Sequence, residues 1–224
     1  INGSNIAEFE KNVATYVRSA HAVGCSNGTD SLRLALIALG VRPGDGVICP
    51  AFTYFATAGA IASVGAIPVF CDILPEAFTI SPDSLKDTIA QHSKTPLKCV
   101  IPVHLYGLCA DMDAIMAIAK EHNLGVIEDT AQAFGASYKG KKAGSIADCG
   151  SISFFPGKNL GAFGDAGMII TDNPLLAEKM RLYRNQGNKE KYFHEVLGFN
   201  HRLDTIQAAI LNVKLKHIDE WNRK

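Results

Sequence analysis

Short apolar runs and amphipathic stretches alternate along this chain. "GVICPAF" (46–52), "IPVFCDI" (67–73), "KCVIPVH" (98–104) and "LGVIEDT" (124–130) are brief, rich in β-branched residues and closed by polar or turn residues, as expected of strands buried on both faces. Between them apolar positions recur at helical spacing: roughly 54–64, then 82–92 with Ser81 as cap and Pro82 in the first turn, and 111–122 with Asp111 as cap. Residues 26–40, "SNGTDSLRLALIALG", read as a polar turn opening an amphipathic helix that Gly40 closes. Past residue 135, "GASYKGKKAG" predicts a hairpin, followed by strands near 149–154 and 166–171 and helices near 174–185 and 202–221. The alternation predicts an α/β three-layer sandwich with a mostly parallel central sheet, whose ligands bind beyond the carboxyl ends of the strands. No repeat or linker divides residues 1–224, so one domain is expected.

Composition narrows the function. With 224 residues, 47% of them apolar, the chain can bury a substantial core. Lysine plus arginine and aspartate plus glutamate balance at 22 each without a basic block, so a small molecule is the expected partner rather than nucleic acid or an anionic membrane. The uncharged stretch from Gly46 to Cys71 is long enough for a membrane span, but Pro50, Gly59, Gly65 and Pro68 interrupt it, and strand, helix, strand is the expected reading. Six cysteines lie scattered without zinc-ligand spacing or a CxxC pair, which fits core thiols in a reducing cytoplasm. The chain opens without Met and stops inside a helical pattern, so a fragment of a longer protein is expected.

Four places carry polar residues where strands end. In "SNGTDSL" the start of a helix offers unpaired N–H groups to an anion, with Gly28 permitting close approach; ordinary capping by Asn27 or Thr29 explains the same string. In "VIEDTAQAFGA" a strand delivers Glu128 and Asp129, with Gln132 three residues on; the carboxylates either cap a helix or hold a heteroaromatic nitrogen protonated. In "SFFPGKNLGAFGDAG" Lys158 stands among apolar and glycine residues, a setting that favours the neutral, nucleophilic amine, although most lysines keep their head in water. In "GFNHRLDTIQAAI" Asn200 and Arg202 precede a helix and either meet solvent or reach a ligand or neighbour.

These strings, together with "PAFTYFATA" and "PVHLYG", occur in an order that resembles the DegT-type (DegT/StrS) nucleotide-sugar aminotransferases, a branch of the fold-type-I pyridoxal-phosphate enzymes related to aspartate aminotransferase. The resemblance covers Phe9 to Trp221 and implies that residues 1–224 form the large pyridoxal-phosphate domain, the small C-terminal domain lying outside this chain. It implies that Lys158 binds pyridoxal 5'-phosphate covalently, that Asp129 pairs with the pyridine nitrogen, and that Gln132 lies near the ring hydroxyl. Gly28, Thr29 and Ser153 would form the phosphate cup, Tyr54 would stack on the ring, and Asn200 would reach the phosphate of the neighbouring subunit in a homodimer. The implied substrates are glutamate as amino donor and a nucleotide-linked keto-sugar as acceptor, in amino-sugar biosynthesis.

Other readings compete. A dinucleotide-binding oxidoreductase requires GxGxxG directly after a strand, whereas Gly161, Gly164 and Gly167 are spaced three apart and follow the lysine. A P-loop requires Ser or Thr after its Lys, and here Asn159 follows. Family relatives that are dehydratases carry histidine in place of the lysine, so Lys158 favours transamination. A cyclitol ketone as acceptor, or a regulatory protein that keeps the fold without turnover, stays open, as does amination at C3 or C4 of the sugar. Borohydride reduction of the cofactor-loaded protein followed by peptide mapping is expected to place the pyridoxyl group on Lys158. Its appearance on Lys141 or Lys142 would overturn the assignment.

Overall fold

The computed structural model describes residues 3–224. Its elements run α1 (Ser4–Val17), β1 (His21–Cys25), α2 (Gly28–Ala38), β2 (Gly46–Pro50), α3 (Phe55–Ser63), β3 (Ile67–Cys71), α4 (Pro82–Gln91), β4 (Leu97–Val100), α5 (Met112–Glu121), β5 (Gly125–Asp129), β6 (Ser137–Tyr138), β7 (Lys141–Lys142), β8 (Cys149–Ser153), β9 (Gly167–Thr171), α6 (Pro174–Arg184), β10 (Asn188–Glu190), β11 (Phe193–His194), α7 (Thr205–Leu215) and α8 (Ile218–Trp221). Local chemistry sets the helix starts. Asn27, Ser81, Asp111 and Asn173 each accept a first-turn N–H of α2, α4, α5 and α6, caps worth about 1 kcal/mol apiece.

Seven strands form one sheet in the order β1-β9-β8-β5-β4-β2-β3. The pairs from β8 through β3 are parallel, while β9 runs antiparallel to both β8 and β1. Side chains alternate across the sheet. Val47, Cys49, Ile127, Cys149 and Ile169 face a core built with α2, α3 and α6. Their neighbours Ile48, Val126, Ile152, Met168 and Ile170 face the opposite layer, where α4 and α5 cover one end and α1 and α7 the other. The result is the expected three-layer sandwich.

The uncharged stretch 46–71 resolves into β2, α3 and β3, and among the described residues no helix is long and apolar enough to cross a membrane. Two differences from the periodicity reading have local causes. The helix expected over 202–221 is divided: His201 and Leu203 are held down, Asp204 is extended (φ −76°, ψ 136°), α7 begins at Thr205, and the chain turns at Lys216 and His217 before α8. The apolar pattern also left α1 and β1 unassigned. α1 buries Ile6, Phe9, Val13 and Val17, one stripe at helical spacing.

Five of the six cysteines are buried free thiols. Burial pushes Cys49 and Cys149 up to about 12, far from a reactive thiolate.

Phe9, fully buried, meets Phe154 edge to face at 5.2 Å, and Phe154 meets Phe134 at 5.6 Å. Phe9→Ala is expected to cost about 3–5 kcal/mol in urea unfolding. Phe193→Ala, at a site 70% exposed, is expected to stay within about 0.5 kcal/mol.

Candidate active site

The carboxyl ends of β1, β2, β5 and β8 open on one cavity of about 620 Å³. Gly28, Thr29, Tyr54, Asp129, Gln132, Ser153 and Lys158 all line it; Asn200 does not. Parallel strands bring these residues together from four separate parts of the sequence, as such sheets do at their ligand sites.

The sheet register determines which side chains arrive. Asp129 lies opposite Ser151 on β8. Both belong to the α2–α3 face, as does Ser153 two residues on. At the start of α2, the Asn27 side chain takes the Asp30 N–H and the Asn27 carbonyl takes that of Ser31. Gly28 and Thr29 occupy the first turn, where backbone N–H groups have no helical acceptor and the helix dipole favours an anion. A Cβ on Gly28 would fall 2.6 Å from Ser153 Cβ, and one on Gly167 would fall 2.3 Å from the Asn27 carbonyl oxygen. Glycine at both positions seats α2 against the ends of β8 and β9. The capping and anion readings of "SNGTDSL" are thus compatible: Asn27 caps, and Gly28 and Thr29 stay available.

Asp129 is 5% exposed. Its Oδ1 accepts the Ala131 N–H at 3.1 Å and its Oδ2 the Thr57 hydroxyl at 3.0 Å. Burial raises its pKa above the ordinary carboxylate value; these two donors, His104 and Lys158 oppose the rise. Glu128, as expected of its neighbour, faces the other side of the sheet, and it is far from idle there. One oxygen accepts the N–H groups of Ile146 (2.7 Å) and Ala147 (2.8 Å), the other that of Gly144 (2.8 Å) and His104 Nε2 (3.0 Å). The Ala110 N–H donates to His104 Nδ1, which fixes the proton on Nε2. Glu128 therefore anchors the 144–147 loop and the segment after β4. Sequence reasoning assigned neither this anchor nor Thr57; the Thr53–Thr57 pair, four apart at a helix start, is the one local pattern that could have drawn notice to the latter.

Lys158 lies on the loop between β8 and β9, closed by Lys158 N–H to the Phe155 carbonyl and Phe154 N–H to the Ala166 carbonyl, 2.8 Å each. The expected apolar burial is only partial: Phe155, Pro156, Gly157 and Asn159 are exposed and Lys158 is half-buried. The stretch around Lys158 stands clear of the layers that bury β8, while the residues after it return to them: Leu160 and Ala162 are buried with Ile152 and Phe154. The loop is nonetheless braced, with Gln207 of α7 accepting the Phe163 N–H at 2.8 Å and Asn159 donating to Asn222 at 3.0 Å. Gln132 Oε1 accepts the Tyr106 N–H at 2.8 Å, so its amide nitrogen is the end left to donate into the cavity. Tyr106 adopts a left-handed φ of 54° to make that bond. Tyr54, 72% exposed, stands at the cavity rim ahead of α3.

Asn200 is exposed on an extended segment bridged to Asn185. Its neighbours hold it. Phe199 and His201 stack at 5.0 Å, the Arg33 guanidinium covers Phe199 at 4.5 Å, and His201 Nδ1 lies 3.3 Å from Asp30. Burial pushes the His201 imidazole below its usual value and Asp30 opposes this. With Phe199 and His201 turned onto α2, alternation turns Asn200 and Arg202 to the opposite side.

Glu128→Gln is expected to place an amide nitrogen against two N–H donors, costing about 1–3 kcal/mol for each hydrogen bond broken. Asp129→Asn, which leaves the Ala131 N–H its acceptor, is expected to cost less stability than Glu128→Gln. Thermal unfolding of the two variants checks the difference, and equal losses would overturn the division of labour.

The DegT/DnrJ/EryC1/StrS aminotransferase family model matches residues 1–224. A pleiotropic regulatory protein of Geobacillus stearothermophilus is 53% identical over 224 residues, 100% of this chain and 59% of that protein. The dTDP-3-amino-3,4,6-trideoxy-alpha-D-glucose transaminase of Streptomyces venezuelae is 44% identical over 220 residues, 98% of this chain and 57% of that protein. The crystal structure of S. venezuelae DesV in complex with a ketimine intermediate has a TM-score of 0.94 at 44% identity, covering 99% of this chain and 58% of that one. The chain thus spans less than two thirds of the length of these relatives, with the same three-layer fold. It belongs to the DegT/DnrJ/EryC1/StrS aminotransferase family.

Proposed function

We propose that the protein of which this chain forms the large domain is a pyridoxal-phosphate-dependent aminotransferase that moves an amino group from glutamate to a nucleotide-linked keto-sugar. The observation that carries this reading is the gathering of Lys158, Asp129, Gln132, Ser153 and the first turn of α2 around one cavity. That set fits pyridoxal 5'-phosphate: an amine for its carbonyl, a buried carboxylate for its ring nitrogen, an amide donor for its hydroxyl, and free N–H groups with a hydroxyl for its phosphate. Named relatives support the acceptor class, among them the dTDP-3-amino-sugar transaminase above and a UDP-2-acetamido-2-deoxy-3-oxo-D-glucuronate aminotransferase of Pseudomonas aeruginosa, 46% identical. The free thiols support a reducing cytoplasm as the place of action.

When bound, the cofactor supplies a ring that takes up the electron pair left when a substrate carbon loses its proton. Asp129, ionised, holds the ring-nitrogen proton and so keeps the ring cationic. Lys158, as the neutral amine, would be the base that takes the proton from the substrate carbon on its Nζ. Gly28 and Thr29 hold the phosphate through backbone N–H groups, and the Ser153 hydroxyl, which accepts the Phe155 N–H at 3.4 Å, is free to donate. Tyr54 is placed at the rim to cover a ring face, and Gln132 to orient the ring edge.

Asn200 is assigned to the partner's site. It is exposed, outside its own cavity, and carried on a segment latched to the start of α2. A homodimer with shared sites follows. The regulatory name of the relative at 53% identity favours one second reading, a protein that holds the cofactor without turnover. Conversion of cofactor absorbance by glutamate, followed by a panel of nucleotide keto-sugars, decides between them: no conversion in a cofactor-loaded protein would leave only the regulatory reading. For the shared site, inactive Lys158→Ala subunits mixed with inactive Asn200→Asp subunits are expected to regain activity, one intact site per heterodimer. No recovery after verified subunit exchange would return Asn200 to its own subunit.

A further inference from the structure

Thr57 is 1% exposed in the first turn of α3, its N–H bonded to the Tyr54 carbonyl at 3.2 Å. Its hydroxyl lies 3.0 Å from Asp129 Oδ2 on one side and 3.0 Å from the Thr53 hydroxyl on the other. An ionised carboxylate only accepts, so the Thr57 proton is committed to Asp129 and Thr53 must donate to Thr57. The two hydroxyls then point head to tail toward the carboxylate, each strengthening the next. A proton on Asp129 would reverse or break that order. The remaining partner of Asp129, the Ala131 N–H, is backbone and indifferent to the charge of any side chain.

We propose that Thr57, backed by Thr53, is the positioning residue that holds Asp129 ionised and aimed into the cavity, and thereby settles on which partner, carboxylate or ring nitrogen, the proton between them rests. The proposal rests on the reading of Asp129 as the ring-nitrogen partner. Burial alone would favour the protonated acid, which has no lone-pair charge to hold a cationic ring. Lys158 across the cavity and His104 behind the strand oppose the effect of burial on Asp129, the two ring nitrogens of His104 being engaged by Glu128 and the Ala110 N–H, and Asp30, Tyr54 and Asp165 line the same cavity. None of these is altered by a change at Thr57. Thr57 lines the same cavity, but its hydroxyl is committed to the carboxylate, so it is the side chain on α3 through which Asp129 can be tuned.

The test measures the affinity of the full protein for pyridoxal phosphate against pH in the parent, Thr57→Val and Thr57→Ser. Titration of the cofactor phosphate is common to all three and cancels in the comparison. Loss of one donor to a charged acceptor raises the Asp129 proton affinity, so binding that needs the ionised form fails at a higher pH. Thr57→Val is expected to move the acid limb of the affinity profile upward by about one to two units, a weakening of about 10- to 100-fold on that limb. Thr57→Ser is expected to restore the limb. A purely structural role would weaken binding by one factor at every pH, and a profile of that shape, or one unchanged, overturns the proposal. Should Thr57→Val fail to fold, Thr53→Val decides, with a smaller upward movement expected and an unmoved limb overturning it. Asp129→Asn that binds the cofactor like the parent at every pH would instead remove the ring-nitrogen assignment itself.

Discussion

Two consecutive carboxylates at the end of a buried strand cannot face the same way, and the architecture around β5 follows from how each is satisfied. Glu128 goes to the α4–α5 side, where four N–H donors, three of them backbone, compensate a fully buried charge. Those donors come from the loop after the β6–β7 hairpin and from the segment after β4, so one carboxylate ties two loops to the sheet. Asp129 goes to the α2–α3 side with fewer donors and a raised pKa. The contrast is chemical as well as geometric: the saturated carboxylate is structural, and the under-saturated one is left with capacity for a ligand. Ser153, the other residue of a named strand that lines the cavity, shares the parity of Asp129 in the sheet.

The start of α2 is the second organising point. Asn27 and Asp30 hold each other through side chain and backbone, Ser26 donates to Asp30, and the buried Ser31 and Ser151 hydroxyls join helix to strand. Because His201 leans on the same Asp30, the turn that presents Gly28 and Thr29 also locates the segment bearing Asn200. A hydrogen-bonded group of this kind is rigid when every member is partnered.

Much of this was legible in the sequence, and the reason is periodicity. Strands buried on both faces announce themselves as apolar runs, and β2, β4 and β5 fall where such runs predict them; β3 also falls where expected, but it is an edge strand that leaves Ile67 and Phe70 exposed. The site residues were legible through strings rather than through physics: nothing in the spacing of Asp129, Ser153 and Lys158 reveals that register places the first two on one side of one sheet and that the loop after β8 brings the third beside them. Thr57 escaped because a threonine in a helix start reads as ordinary helix-start chemistry. Glu128 was placed on the correct side by alternation, but its four donors lie 16 to 24 residues away in sequence, and no local pattern encodes them. The half-burial of Lys158 was not legible for a related reason, since apolar composition does not tell which residues of a loop turn inward: Leu160 and Ala162 do, Phe155 and Phe163 do not.

The packing of α1 on α7 joins the two ends of the chain. The Gly3 N–H donates to the Thr205 hydroxyl, Asn12 to Asn212, Asn212 back to the Asn5 carbonyl, and Tyr16 to Asp219, bonds that span 200 to 207 residues. On a ribosome adding about 5–20 residues per second, α1 waits on the order of 10–40 s for the helix that completes its binding face. Through that interval Phe9 and Val13, fully buried in the finished fold, have only β1 and its neighbours to shelter them. Until α7 is made, that face of α1 is open to a chaperone, and the arrival of α7 closes it.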